Sequence, residues 1–266
     1  MEEIKLHNAP RAEIGNILPQ HNNMIAIASG KGGVGKTWFT ITLAHALSGL
    51  KQKVLFFDGD LGLANVDIQL GLAVTHDLDC VVSGNTTLNQ MVRYSDKAKI
   101  DVIAGRGGAP GLSSVPSGRL QILAEDLSLL ASNYDQVLLD MGSGADNSVR
   151  TFAGISGHVI IICTDEPTSI TEAYALIKVL SLQYPRCQIS IVVNQAVSIQ
   201  EGQQTYDILR KASETFLKIS PPLLGIVHRD TRIRDAIRNQ MPLILRYPTS
   251  EAATDVINIA RRLLLK

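Results

Sequence analysis

The chain has 266 residues, of which 45% are hydrophobic, enough for one large α/β domain or two small ones. Its 25 Lys and Arg residues balance its 25 Asp and Glu residues, so no overall charge favours nucleic acid or an anionic membrane. Three cysteines without CxxC spacing argue against a disulfide framework, a zinc site and an iron–sulfur cluster. The sequence shows neither a membrane-spanning apolar run nor a signal-peptide pattern, so we expect a cytoplasmic protein.

The strongest motif follows a polar stretch, residues 1–23, which we interpret as an N-terminal extension of a domain over 24–266. A short apolar strand from Ile25 leads into the glycine-rich GKGGVGKT and then into a helical pattern from Trp38 to Leu50. This strand, loop and helix are the context of a P-loop, in which backbone N–H groups, a lysine and a hydroxyl bind phosphate and Mg²⁺. The predicted nucleotide-binding residues are Gly30, Lys31, Gly32, Gly33, Val34, Gly35, Lys36, Thr37 and Trp38.

Two acidic segments follow buried strands further along the chain. Strand Lys53–Asp58 ends in Asp-Gly-Asp60, and strand Gln136–Asp140 ends in one acid followed by Met-Gly-Ser-Gly-Ala. Carboxylates in this position lie at the carboxyl edge of a parallel sheet, where ligands of open α/β folds bind. Downstream of a P-loop, the second segment indicates a Walker B strand, whose Asp140 would hold Mg²⁺.

The remaining elements alternate as in an α/β fold. Apolar runs predict strands over Ile100–Ala104, His158–Cys163 and Gln188–Asn194. A helix is predicted over Leu120–Leu130, and another begins near Thr168 or Ser169, either of which suits an N-cap. The sequence further predicts a loop and short helix over Gly71–Val92, a loop without a specific role over Gly105–Gly118 and a last helix over 250–266.

Two of these stretches resemble a known family. GKGGVGKT, with its second lysine Lys31, resembles the deviant Walker A motif of the MinD/ParA class of ATPases. The segment EPTSITEAYALIK from Glu166 to Lys178 is similar to that of the flagellar-number regulators called FlhG or FleN, a branch which residues 24–247 follow. The resemblance implies a P-loop NTPase fold with a mostly parallel sheet of about seven or eight strands and helices on both faces.

The resemblance also implies roles for individual residues. Lys31 would cross a dimer interface to the partner's ATP, Lys36 would bind the phosphates, and Asp60 would position the attacking water. Thr37, Asp58 and Asp140 would surround Mg²⁺. Asn194 would bind the adenine, and His228, which stands where the branch has proline, would edge the purine pocket. Gln195 replaces the branch's arginine after Asn194.

The implied function is a Mg-ATP-dependent, dimerising ATPase that regulates the number or position of flagella. By resemblance its partners are a second copy of the chain and flagellar proteins such as FlhF, C-ring components or a flagellar transcription regulator. Residues 1–23 lack the DQAxxLR motif with which some members contact FlhF. The alternatives are a ParA-like partition ATPase that binds DNA or positions another polar cargo and, with less support because CxxC is missing, a metal-cluster carrier.

Two basic segments leave alternatives open. Arg229, Arg232, Arg234 and Arg238 could bind DNA backbone, although we favour a solvated face that pairs with Asp230 and Asp235. The last helix, 250–266, has cations beside an apolar stripe. It could lie peripherally on the inner face of the cell membrane or at the pole, or it could dock on the domain, which we favour because the stripe lacks aromatic residues.

Overall fold

The computed structural model describes residues 19–60, 66–72, 78–82, 85–105 and 115–265. Most of the predicted extension 1–23, residues 61–65 after the first acidic segment, most of the loop over Gly105–Gly118 and Lys266 therefore lie outside the described residues. Within the described ranges, no helix is both long enough and apolar enough to cross a membrane.

One sheet forms the centre of the domain. Its eight strands in the described residues are β1 (His21–Ser29), β2 (Val54–Gly59), β3 (Arg93–Ser95), β4 (Ile100–Ile103), β5 (Gln136–Ser143), β6 (Ser156–Cys163), β7 (Gln188–Ala196) and β8 (Leu223–His228). They lie in the order β3-β4-β2-β5-β1-β6-β7-β8. All neighbours pair parallel except β3 and β4 at the edge. This confirms the predicted fold class.

The helices connect successive strands. In the described residues they are α1 (Lys36–Gly49), α2 (Val66–Leu70), α3 (Leu78–Val82), α4 (Leu88–Met91), α5 (Ser117–Ala131), α6 (Asn147–Ile155), α7 (Pro167–Gln183), α8 (Ile199–Leu217), α9 (Arg232–Arg238), α10 (Leu243–Arg246) and α11 (Glu251–Leu264).

Both faces of the sheet are buried. In β1, Met24, Ala26 and Ala28 belong to one apolar core, while Ile25 and Ile27 belong to another on the opposite face. Successive side chains of a strand point to opposite faces, and a parallel sheet covered by helices on both sides needs apolar residues on each. The two cores hold the strands in register, so that their carboxyl ends form one edge.

Several element boundaries differ from the sequence prediction by a few residues, and two of them concern the site. β1 begins at His21, three residues before the predicted domain start. α7 begins at Pro167 with Glu166 as N-cap, so the prediction of Thr168 or Ser169 is wrong. Proline suits the first helical position because its missing N–H is unpaired there anyway. The Ser169 hydroxyl instead accepts a hydrogen bond from the Thr164 backbone N–H at 3.0 Å.

The last helix docks on the domain. α11 packs against β8 and α1, and its apolar stripe, which includes Val256 and Ile259, is buried. The fit is close: a Cβ added to Gly225 of β8 would lie 2.5 Å from Ile259 Cγ1. The docked alternative is therefore the one that the structure shows, and a membrane contact through this stripe would require α11 to leave the domain.

Candidate active site

The P-loop lies between β1 and α1, as predicted. Gly33 and Gly35 have φ values of 79° and 91°, a left-handed backbone that side chains other than glycine rarely adopt. Gly35 is the N-cap of α1, and no side chain of the described residues caps this helix end. The first N–H groups of α1 and the positive end of its dipole therefore suit a bound phosphate.

Lys36, in the first turn of α1, is buried at this edge of the sheet. Its side chain is 8% exposed, and its Nζ donates to Ser29 Oγ at 2.9 Å. Burial lowers the pKa of Lys36, whereas the negative charges of Asp140 and Asp60 raise it. These carboxylates therefore favour the charged form of Lys36 against the effect of burial.

Asp58 and Asp140 lie side by side because β2 and β5 pair in parallel with these two residues in register. Both carboxyl groups are buried. Burial, together with the charge of Asp140, raises the pKa of Asp58 well above its ordinary value. Burial also raises the pKa of Asp140 to about 6, against the lowering effects of a Thr37 hydrogen bond, the Lys36 charge and a hydrogen bond that Thr40 Oγ1 donates at 3.2 Å.

This donor set fits a magnesium ion. Two neighbouring buried carboxylates repel each other and have little water to stabilise their charge, so a divalent cation would favour their ionised forms. Asp58, Asp140 and the Thr37 hydroxyl offer the oxygen ligands that Mg²⁺ prefers, and a bound phosphate would complete the set. These are the three residues that the sequence predicts as metal ligands.

Asp60 lies next to the predicted Walker B segment. A Cβ added to Gly142 would lie 3.7 Å from Asp60 Oδ1, which places this carboxylate beside the strand end that follows Asp140. The backbone N–H of Asp60 donates to Asp58 Oδ1 at 3.3 Å. The negative charges of Asp140 and Asp60 both raise the pKa of Lys36, so these three predicted groups lie close together at the P-loop.

Lys31 contacts its own chain. Its Nζ forms an ion pair with the Glu166 carboxylate and donates to Thr168 Oγ1 at 3.1 Å. Both partners lie at the start of α7, and Gly30 allows the close approach, since a Cβ there would lie 2.2 Å from the Glu172 carbonyl carbon. Neither Glu166 nor Thr168 was predicted as a site residue.

A cavity of about 570 Å³ adjoins the P-loop. Its lining residues are Gly33, Gly35, Trp38, Asn194, Gln195, Arg229, Asp230, Thr231, Ile233, Arg234 and Ile237. Asn194 Nδ2 donates to the Val34 carbonyl at 2.7 Å, which leaves Oδ1 as a buried acceptor without a partner in the described residues. An adenine amino group would satisfy that acceptor.

His228 does not line this cavity. Its backbone N–H and its Nδ1 contact Asp255 Oδ2 of α11 at 2.9 and 2.8 Å. The cavity is lined instead by the neighbouring residues Arg229 and Asp230 and by α9, none of which the sequence assigned to the nucleotide. Their signal in the sequence was the dense run of arginines.

The fold and this site define a P-loop nucleotide-binding protein. The sequence profile of the CobQ/CobB/MinD/ParA nucleotide binding domain matches residues 25–243. The fold also matches the septum site-determining protein MinD of Pyrococcus horikoshii, solved with Mg-ADP, with a TM-score of 0.78 and 24% identity over 91% of this chain and 96% of that one.

Two relatives are similar to this chain over most of its length. The chain is 32% identical to the antiactivator FleN of Pseudomonas aeruginosa, over 90% of this chain and 85% of FleN. It is 28% identical to the flagellum site-determining protein YlxH of Helicobacter pylori, over 92% of this chain and 83% of YlxH. The chain therefore belongs to the MinD/ParA family of ATPases and, within it, to the branch that includes FlhG and FleN.

Proposed function

We propose that this ATPase uses Mg-ATP, dimerises when ATP is bound and regulates the number or position of flagella. One observation carries the chemical part: at a P-loop, Lys36 is buried near Asp140 and Asp60, and Asp140 lies in register with the buried Asp58. The biological part rests on the likeness to FleN and YlxH over most of the chain.

The reaction is hydrolysis of ATP at the γ-phosphate. The P-loop N–H groups and Lys36 hold the phosphates, and Asp60 orients the attacking water. The water oxygen bonds to the γ-phosphorus as the bond to the β–γ bridging oxygen breaks, and a water proton passes to the released phosphate, so that ADP and inorganic phosphate leave. Mg²⁺, held by Thr37, Asp58 and Asp140, would supply positive charge to the phosphate oxygens. Positioning and electrostatics carry most of such a reaction.

Dimerisation would complete the site. In the ATP-bound dimer, Lys31 of the partner subunit would add a second ammonium at the triphosphate and help offset the charge that develops during hydrolysis. Such a protein would alternate between an ATP dimer and an ADP monomer in the cytoplasm, with peripheral contact to membrane or cell pole through its partners. The partners would be flagellar proteins such as FlhF, C-ring components or a flagellar transcription regulator.

Gene deletion tests this function. Flagella would be counted and their positions recorded by electron microscopy in the deletion strain, in the strain complemented with the native gene, and in one complemented with Lys36→Ala. We expect an altered number or position that only the native gene restores. Unchanged flagella in the deletion strain, with altered segregation of DNA or of another polar cargo, would contradict the proposal and favour a partition role.

A further inference from the structure

Four arginines near α9 form what is called here the basic stretch: Arg229, Arg232, Arg234 and Arg238. Their surroundings differ. Arg232 is held by Asp230, since its backbone N–H and its Nε both lie 2.9 Å from Asp230 Oδ1. Asp235 pairs instead with Arg246. Arg229 and Arg234 both line the cavity next to the P-loop, and in the described part of the chain neither is paired with a carboxylate. Within the described residues, these two guanidinium groups at the cavity therefore carry no ion pair, and the Asp230 carboxylate beside them is paired with Arg232.

One face of α9 supplies this wall of the cavity. Ile233 and Ile237 are four residues apart, and Arg234 lies three residues before Ile237, so all three share a face of the helix. Trp38 of α1, 6% exposed, is a further apolar member of the lining. Arg238 lies one turn further along α9 and is not part of the lining.

These surroundings suit a flat aromatic group that belongs to an anion. The cavity is lined by the P-loop glycines Gly33 and Gly35, which suit a phosphate, and by apolar side chains of α1 and α9. A guanidinium is planar and weakly hydrated, and it stacks on aromatic faces more readily than an ammonium does. Arg234 is therefore placed where the base of a nucleotide would lie if its phosphates occupy the P-loop.

We propose that Arg234 stacks on the purine base of ATP and contributes to the affinity for a nucleotide over bare triphosphate. The proposal rests on the proposed function, because it takes ATP as the ligand. Arg234, one of the four arginines of the basic stretch, would then bind the nucleotide and not DNA. Gln195, the neutral residue next to Asn194, also lines the cavity but carries no charge to contribute.

The test measures binding of Mg-ATP and of inorganic tripolyphosphate by isothermal titration calorimetry. The only tryptophan of the chain, Trp38, gives a second readout of ATP by its fluorescence. We expect Arg234→Ala to weaken ATP binding roughly tenfold and to change tripolyphosphate binding less than about twofold. Arg234→Lys should not restore the affinity, because it keeps the charge and loses the planar group.

Arg238→Ala is the matched control, since it removes an exposed arginine of the same helix outside the cavity and should leave ATP binding unchanged. Three results would overturn the proposal: unchanged ATP affinity in Arg234→Ala, an equal loss for tripolyphosphate, or full rescue by Arg234→Lys. A loss of salt-dependent binding to duplex DNA with unchanged ATP affinity would assign Arg234 to DNA instead. A native protein that binds no ATP would contradict the proposed function itself, which distinguishes the two failures.

Discussion

Lys31 and Glu166 form an ion pair within one chain, between the P-loop and the start of α7. Their side chains are 35% and 58% exposed, so water screens the attraction. A lysine held in this way must exchange its partner before it can reach a nucleotide in a second subunit. A triphosphate carries more negative charge than one carboxylate, so a neighbouring ATP would compete effectively for this ammonium.

The first prediction concerns that exchange. Glu166→Gln removes the charge that holds Lys31 and should strengthen ATP-dependent dimerisation up to about thirtyfold, since an exposed pair contributes roughly 0–1 kcal/mol and each dimer breaks two such pairs. ATP affinity under conditions where the protein is monomeric should not change. The dimer dissociation constant is measured by analytical ultracentrifugation with a non-hydrolysable ATP analogue. A weaker dimer would show that Glu166 acts in the interface itself.

The second prediction concerns the water-positioning group. Asp60→Ala should retain ATP binding and lose hydrolysis by about a hundredfold or more, because the attacking water is no longer oriented. Turnover is followed by phosphate release, and binding by Trp38 fluorescence. Asp67→Ala, which changes another acid of the same region, serves as the control and should retain turnover. Near-native hydrolysis in Asp60→Ala would remove Asp60 from the mechanism.

The third prediction concerns Mg²⁺ binding as a function of pH. Burial raises the pKa of Asp140 to about 6, and an Mg²⁺ ligand must be ionised. Mg-nucleotide affinity should therefore fall as the pH drops through that value. Calorimetry between pH 5 and pH 8 measures the profile. Asp140→Asn should bind more weakly and show a flatter profile, and an unchanged slope in that variant would assign the titration to another group.

The fourth prediction concerns the stability of the nucleotide-free protein. The raised pKa values of Asp58 and Asp140 mean that the folded state binds protons more tightly than the unfolded chain. Their contribution is complete below the ordinary value of 3.8 and is lost as the pH rises through the folded-state value, about 6 for Asp140. At neutral pH, Asp140→Asn should raise the free energy of unfolding by on the order of 1–3 kcal/mol. Urea unfolding at pH 5 and pH 7.5 measures both effects, and a destabilised variant would contradict the prediction.

The fifth prediction concerns α11. Ile259 is 1% exposed and packs on Gly225, so Ile259→Ala should lower the free energy of unfolding by about 2–4 kcal/mol. Leu265→Ala is the matched control at the end of the same segment. Leu265 is 86% exposed, and its loss should change stability by less than about 0.5 kcal/mol. If Ile259→Ala kept full stability but lost binding to anionic vesicles, the membrane alternative would be restored.

The sequence predicted the parts of the site that are local in the chain. The order of strand, glycine loop and helix placed Lys36 and Thr37, and the position of Asp58 and Asp140 after apolar strands placed them at one edge of the sheet. Contacts between distant segments were not predictable in the same way. Two such contacts are the ion pair of Lys31 with Glu166 and the contact of His228 with Asp255. Both depend on how loops and helices pack over the sheet edge.

The arginines of α9 show one limit of prediction from spacing. Spacing alone showed that Arg234 and Arg238 share a helical face, but it could not show which turn of α9 faces the P-loop. The burial of Ala236 fixes the rotation of the helix, but the position of α9 along its own axis is what brings Arg234, and not Arg238, to the cavity. Short elements such as the edge strand β3 and helix α6 carried too little periodicity to be assigned from the sequence.

Sedimentation velocity of Asp60→Ala tests the central claim, a switch driven by the γ-phosphate, most directly. The variant should bind ATP without hydrolysing it, so that the bound state does not change during the run. We predict a dimer with Mg-ATP and a monomer with Mg-ADP, and loss of the dimer when Lys31→Ala is added. A monomer with both nucleotides, together with demonstrated ATP binding, would contradict the account.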